Sequence, residues 1–155
     1  MDSLFEQASQ AWDQGNNREA FELFRRAAAK GEQNAFLNLG YCYDEGIGTK
    51  QDKEKALFWY KKAAQYGDLS AYMNIAVYYV SVKDFKLAEY WYKEAFDKGE
   101  KEAGLELAKL GLNNNISLTN SNILEYLQVV INAKCKIEVC EASQNEAYSL
   151  LKKLD

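Results

Sequence analysis

The 155-residue sequence contains no proline and no histidine, and only nine glycines and three cysteines. Without proline nothing obliges a helix to break, and with glycine sparse and Ala, Leu, Lys and Glu plentiful the chain reads as all-α. Without histidine the commonest general base and the commonest metal ligand are both missing. No glycine-rich phosphate loop follows a strand either. The Gly46-Ile47-Gly48 pattern is too short for one and reads as a turn. Asp44 and Glu45 are neighbours, so on a helix they diverge by about 100° and do not converge on one bond. No catalytic residue, no metal site and no cofactor is expected.

Long apolar runs are also missing. No window approaches the ~18 apolar residues of a membrane span, and the start "MDSLFEQASQAWD" has no charged region leading into an apolar one. The expectation is an unexported, cytoplasmic protein without membrane insertion. Cys42, Cys135 and Cys140 form an odd set with no repeating framework, which suits a reducing compartment. Cys42 is read as a core residue, whereas Cys135 and Cys140 either approach one another on a helical turn or remain free thiols. Basic charge is not in excess: 19 Lys and Arg face 23 Asp and Glu, for a net charge of -4. Nucleic-acid-binding domains carry a clustered basic face, so a nucleic-acid partner is not expected and a basic or neutral one fits better. What the chain does have is 48% hydrophobic and 14% aromatic residues. That suffices for a packed core, read as one domain over residues 1–155.

The positive signal is a repeat. Ala20-x-x-x-Phe24-x-x-Ala27 matches Ala56-x-x-x-Tyr60-x-x-Ala63 and Ala88-x-x-x-Tyr92-x-x-Ala95, and each is closed by a glycine, Gly31, Gly67 or Gly99. Upstream, Phe36, Leu39, Gly40 and Tyr43 align with Tyr72, Ile75, Ala76 and Tyr79, and a fainter copy runs through Leu107, Ala108 and Gly111. This is the pattern of a helix-turn-helix repeat of about 34 residues. Helices cross at about 8–10 Å only where small side chains meet, which places Gly40, Ala56 and Ala63 at a crossing. The closing glycines supply the left-handed residue that ends a helix, with Lys30 and Lys98 beside the negative end of the dipole. Asn16, Asp52 and Asp84 stand where the second helices need N-caps.

One turn, "DEGIGTKQD", is four residues longer than its counterparts. With the order "LGYCYDEGIGTKQDKEKALFWYKKAAQYGD" around it, the chain closely resembles the Sel-one-like repeat (SLR) family, relatives of the tetratricopeptide repeat, over Leu4 to Leu112. The resemblance implies a right-handed superhelical solenoid of antiparallel helix pairs, three to four units at about 3–31, 34–67, 70–99 and 102–134. After a polar stretch from Asn113 to Asn122, Ile123, Leu124, Leu127, Val130 and Ile131 mark a helical face. Ser143-x-x-Glu146 reads as a capping box opening a final helix at about 143–154, a cap on the stack. Residues 135–142 alternate like a strand yet sit between helices.

In such solenoids the first helix of each unit lines a concave wall. The tetratricopeptide register, carried over position by position, implies a protein-binding surface of Phe5, Ser9, Trp12, Asp13, Asn34, Leu37, Tyr41, Asp44, Met73, Val77, Val80, Leu105, Lys109 and Leu112. The alternative is that some of these pack against adjoining units, or that the C-terminal helix fills the groove. A carboxylate clamp is not expected despite Asn38 and Asn74, because Leu37, Tyr41, Met73 and Val77 replace the basic residues it needs; the two asparagines are read as making structural hydrogen bonds. Ala64 and Phe96 stand near where disulfide-stapled family members carry a cysteine. Trp59, Tyr60, Trp91 and Tyr92 invite a base-stacking reading, but Tyr60 and Tyr92 hold the aromatic slot of the repeat, which favours core packing. The resemblance implies a non-catalytic protein-interaction module. Its specific form is an immunity protein that inhibits a cognate bacterial toxin or effector with a basic or apolar surface, the alternative being an adaptor that recruits a partner into a signalling or envelope-related complex.

Overall fold

The computed structural model describes residues 3–133 and 138–154, among which the chain forms nine α-helices and no strand. They gather into two units, one through Tyr78 and one from Tyr79. The first holds α1 (Leu4–Asp13), α2 (Asn17–Ala29), α3 (Asn34–Glu45), α4 (Lys53–Gln65) and most of α5 (Leu69–Ser81). The second holds the end of α5, α6 (Phe85–Asp97), α7 (Glu102–Leu112), α8 (Asn120–Ile131) and α9 (Glu138–Leu151).

In the first unit α1 packs on α2, α2 on α3 and α3 on α4. The repeating small residues are what permit this: Ala8, Ala20, Ala27, Gly40, Ala56 and Ala63 are all buried, with Phe24, Leu39 and Tyr60 filling the space beside them. The helix ends share one device. After α2 the Gly31 N–H donates to the Ala28 carbonyl and the Glu32 N–H to that of Ala27, both at 3.0 Å. Gly67 with Asp68 and Gly99 with Glu100 repeat the arrangement after α4 and α6, so carbonyls left over by the helix find donors at each stop. Lys83 and Asn114 occupy the same left-handed position after α5 and α7 without being glycine.

The starts agree in part. Asp52 accepts from the Lys55 N–H at 3.0 Å and Asp84 from the Leu87 N–H at 3.2 Å, as N-caps. Asn16 stands at the cap position of α2 but makes no capping bond; its amide donates to Gln14 instead. Two capping boxes were not read from the sequence, Ser3 with Glu6 and Thr119 with Asn122. The enlarged turn after α3 is held by Gly46 and Gly48, both at positive φ. Gly48 lies so close to α2 that a Cβ there would fall 2.2 Å from the Asn17 carbonyl oxygen. The glycine pair is therefore structural, a close approach that only a bare backbone allows.

In the second unit α6 packs on α7, α7 on α8, and α9 on both α7 and α8. Leu105, Ala108, Ile123, Leu127, Val130 and Ala147 form its buried cluster. The C-terminal helix departs from the expectation: it begins at Glu138, so Ser143 and Glu146 lie inside it and are no capping box. They serve tertiary contacts instead. Ser143 donates to Glu102 at 3.2 Å, and Glu146 pairs with Lys109 at 2.9 Å, tying α9 along α7. Gln144 donates to the carbonyls of Ile131 and Ala133, both at 2.8 Å, closing the end of α8. Leu124 turns outward from the face on which it was placed. Residues 135–137 of the alternating stretch, Cys135 among them, and the side chain of Cys140 lie outside the described residues. Cys42 is fully buried in α3, where desolvation pushes its thiol up to about 12.

Candidate functional site

The inner-wall positions of α1 recur at helical spacing, so Phe5, Ser9, Trp12 and Asp13 share a face. On α3, Asn38 and Tyr41 are three residues apart and share another. Where these faces meet over Phe24 of α2 they enclose a cleft of about 300 Å³, lined by Ser9, Trp12, Asp13, Phe24, Asn38 and Tyr41. Its walls are aromatic. The Trp12 ring lies 6.0 Å from that of Tyr41 and 6.1 Å, edge-on, from that of Phe24, which also meets Phe5 at 5.9 Å. Such separations fall within the attractive range for ring pairs, so the walls hold one another in place. Tyr41 is 43% exposed, and no buried layer covers it.

The polar groups at the cleft are of two kinds. Ser9 is occupied, its hydroxyl donating to the Phe5 carbonyl at 3.0 Å. Asp13 and Asn38 have no side-chain partner among the described residues. For Asn38 this differs from the structural hydrogen bond expected of it; Asn74 likewise has no such bond among the described residues. The cleft can therefore offer flat apolar surface, one carboxylate and one amide to an incoming group.

The other inner-wall positions fare differently. Leu37 and Met73 are half-buried, Asn34 and Val77 are exposed, and none of them lines the cleft. Asp44 is engaged within the fold: it pairs with Lys53 and accepts from the Tyr60 hydroxyl at 3.1 Å, linking α3 to α4. Val80 is half-buried in the second unit. Leu105 is corrected outright, being 3% exposed in the core beneath α9. Lys109 is held between Glu106 and Glu146, both at 2.9 Å, and with Leu112 borders α9. In this unit the C-terminal helix occupies the face of α7 that the repeat register reserves for binding. Phe24 was read only as a repeat-core residue, and its place under Trp12 depends on how α2 crosses α1.

Tyr60 and Tyr92 are buried, and desolvation pushes both hydroxyls well above the usual phenol range. They are core residues and not stacking platforms. Trp59 stacks on Phe36 at 5.7 Å, and Lys62 lies over the rings of Phe36, Phe58 and Trp59 at 5.2–5.7 Å. No group of three or more His, Cys, Asp or Glu among the described residues could hold a metal ion. None of the described helices is long and apolar enough to cross a membrane.

Comparison with known proteins agrees with this architecture. The Sel1 repeat model matches residues 13–32 and 35–68, and a tetratricopeptide repeat model matches residues 69–106. A stretch of 71 residues, 46% of the chain, is 34% identical to the chitin synthase regulator SKT5 of Saccharomyces cerevisiae, of which it covers 10%. The chain thus spans about a tenth or less of the curated relatives it matches. A Sel1 repeat protein from Oxalobacter formigenes superposes with a TM-score of 0.67 at 26% identity, over 89% of this chain and 65% of that one. A protective antigen of uropathogenic Escherichia coli displaying an SLR fold superposes with a TM-score of 0.73 at 24% identity, over 95% of this chain and 33% of that one. With the helix order, these neighbours show an all-α repeat solenoid.

Proposed function

Because the chain belongs to the Sel1-repeat family of tetratricopeptide-like helical repeat proteins, we propose that it is a non-catalytic module that binds a partner protein through the first-helix surface of its first unit. One observation carries the reading: the Trp12 and Tyr41 rings, 6.0 Å apart, border an open cleft instead of closing into the core. Ring surface that a partner buries supplies much of the binding energy of protein interfaces, and here it is carried on helices. The surface consists of Phe5, Trp12, Asp13, Leu37 and Tyr41, with Met73 and Val77 beside them in sequence order on α5.

The specific form is inhibition of a cognate bacterial toxin or effector in the cytoplasm. The net charge of -4 supports it, since an acidic surface complements the basic cleft of an enzyme that acts on nucleic acid or phosphate. An adaptor role has its own support, because the matching stretch of the yeast protein belongs to a regulator of another enzyme.

Affinity capture on the tagged chain, run in parallel with a Trp12→Ala/Tyr41→Ala variant, tests the binding surface. A partner retained by the parent and lost from a folded variant supports it, and equal retention rejects it. Co-expression then separates the two roles. Rescue of growth from a toxic partner marks an inhibitor, whereas a partner that stays active in the complex marks an adaptor.

A further inference from the structure

Resting on the interaction reading above, we propose that the first-unit cleft is a receptor for one arginine side chain of the partner. Three observations converge on it. First, the walls are Trp12, Tyr41 and Phe24, and a guanidinium is attracted to ring faces by charge and by its own planarity. Second, the polar groups without an internal partner are the Asp13 carboxylate and the Asn38 amide, and both border the same space. A carboxylate accepts two parallel N–H bonds from a guanidinium, and the amide oxygen can accept a further one.

Third, Asp13 is placed where its charge is unwelcome. It is the last residue of α1, at the negative end of the helix dipole, and the last turn of α1 contains no basic residue. An anion there is disfavoured by the helix dipole, although the last carbonyls of α1 already accept from the N–H groups of Gln14, Gly15 and Asn16. Asp44, in the last turn of α3, meets the same condition but is compensated within the chain by Lys53. Asp13 has no such compensation among the described residues, and an arriving cation would provide it. The volume of about 300 Å³, at the lower end of the range for ligand sites, has room for one side chain. An acidic or purely aliphatic side chain would meet Asp13 unfavourably or leave it desolvated.

The probe is the peptide acetyl-Gly-Arg-Gly-amide, compared with its citrulline counterpart, which keeps the shape and loses the charge, and its lysine counterpart. Binding is followed by 1H–15N NMR on the full chain, reading the Trp12 indole and Asn38 amide signals. The arginine peptide is expected to shift both saturably, with the citrulline peptide at least about fivefold weaker, and Asp13→Asn is expected to weaken arginine binding about fivefold while leaving the rest of the spectrum in place. Equal response to arginine and citrulline, equal response to lysine, or shifts that map elsewhere would overturn the proposal. Against a captured partner the two readings separate. If Asp13→Asn leaves affinity unchanged while Trp12→Ala/Tyr41→Ala abolishes it, the interaction surface stands and the arginine receptor falls; if neither variant matters, the interaction surface itself falls.

Discussion

Gly40 and Tyr60 are packed so closely that a methyl group on Gly40 would lie 2.6 Å from Cδ1 of the Tyr60 ring. The ring cannot retreat, because it is 1% exposed and its hydroxyl is bound to Asp44. Gly40→Ala is therefore expected to destabilise the fold by about 1–3 kcal/mol, the cost of overpacking a core. Urea unfolding checks this, and Tyr60→Leu in the same background should recover part of the loss; additive effects of the two changes would show that they do not share the strain.

Two other glycines separate backbone strain from crowding. At Gly31 a Cβ meets nothing within 4 Å, and only the positive φ opposes a side chain. At Gly48 the same backbone demand is joined by a 2.2 Å approach to the Asn17 carbonyl oxygen. Gly31→Ala should cost about 1 kcal/mol, and Gly48→Ala distinctly more, about 3 kcal/mol. Similar unfolding midpoints for the two variants would refute the distinction.

Lys83 offers the opposite sign. It closes α5 at φ 60° in the role that glycine takes after α2, α4 and α6. Lys83→Gly relieves a left-handed side-chain residue and should stabilise by about 1 kcal/mol, raising the urea midpoint at unchanged slope.

Leu105 and Tyr41 hold inner-wall positions in the same repeat register, but the structure leads us to expect that they separate in the laboratory. Leu105→Ala opens a cavity under α9 and is expected to cost about 2–5 kcal/mol. Tyr41→Ala, at a largely exposed ring that meets Trp12, should cost no more than about 1 kcal/mol of stability and reduce partner affinity. Thermal denaturation paired with a binding assay reads both.

The buried thiol sets an alkaline limit. Cys42 titrates near 9.0 when unfolded and is pushed up to about 12 in the fold by desolvation, so its neutral form is favoured there. A group raised in this way contributes stability that is fully present below pH 9.0 and is lost as the pH rises towards 12, and the raised hydroxyls of Tyr60 and Tyr92 act in the same direction. The urea midpoint should hold steady up to about pH 9 and fall beyond it. In the native protein at pH 8, Cys42 should resist iodoacetamide, followed by peptide mass mapping, and react once urea unfolds the chain.

Much of the architecture was legible in the residues because repeats write the same local physics several times. The small-aromatic-small triplets, the closing glycines and the caps at Asp52 and Asp84 each act through neighbours within one or two helical turns. The final helix shows where such reasoning stops. Ser143 and Glu146 have the spacing of a capping box, but that spacing also suits two residues within a helix that reach sideways, and Glu102 and Lys109 of α7 receive them. Asn16 shows the same limit, since it holds the cap position of α2 yet its side chain makes no capping bond.

By itself the sequence determined the helical repeat, the places where helices stop and the small residues at the crossings, because these depend on side-chain size and backbone preference at fixed local spacing. Only the tertiary structure decided which inner-wall residues remain available. α9 lies over Leu105 and engages Lys109, Asp44 is drawn into a pair with Lys53 and Tyr60, and Trp12, Asp13, Asn38 and Tyr41 border an open cleft. The physical reason is that availability is set by what another segment buries or pairs. A helix arriving from some forty residues downstream leaves no mark on the periodicity of the helix it covers.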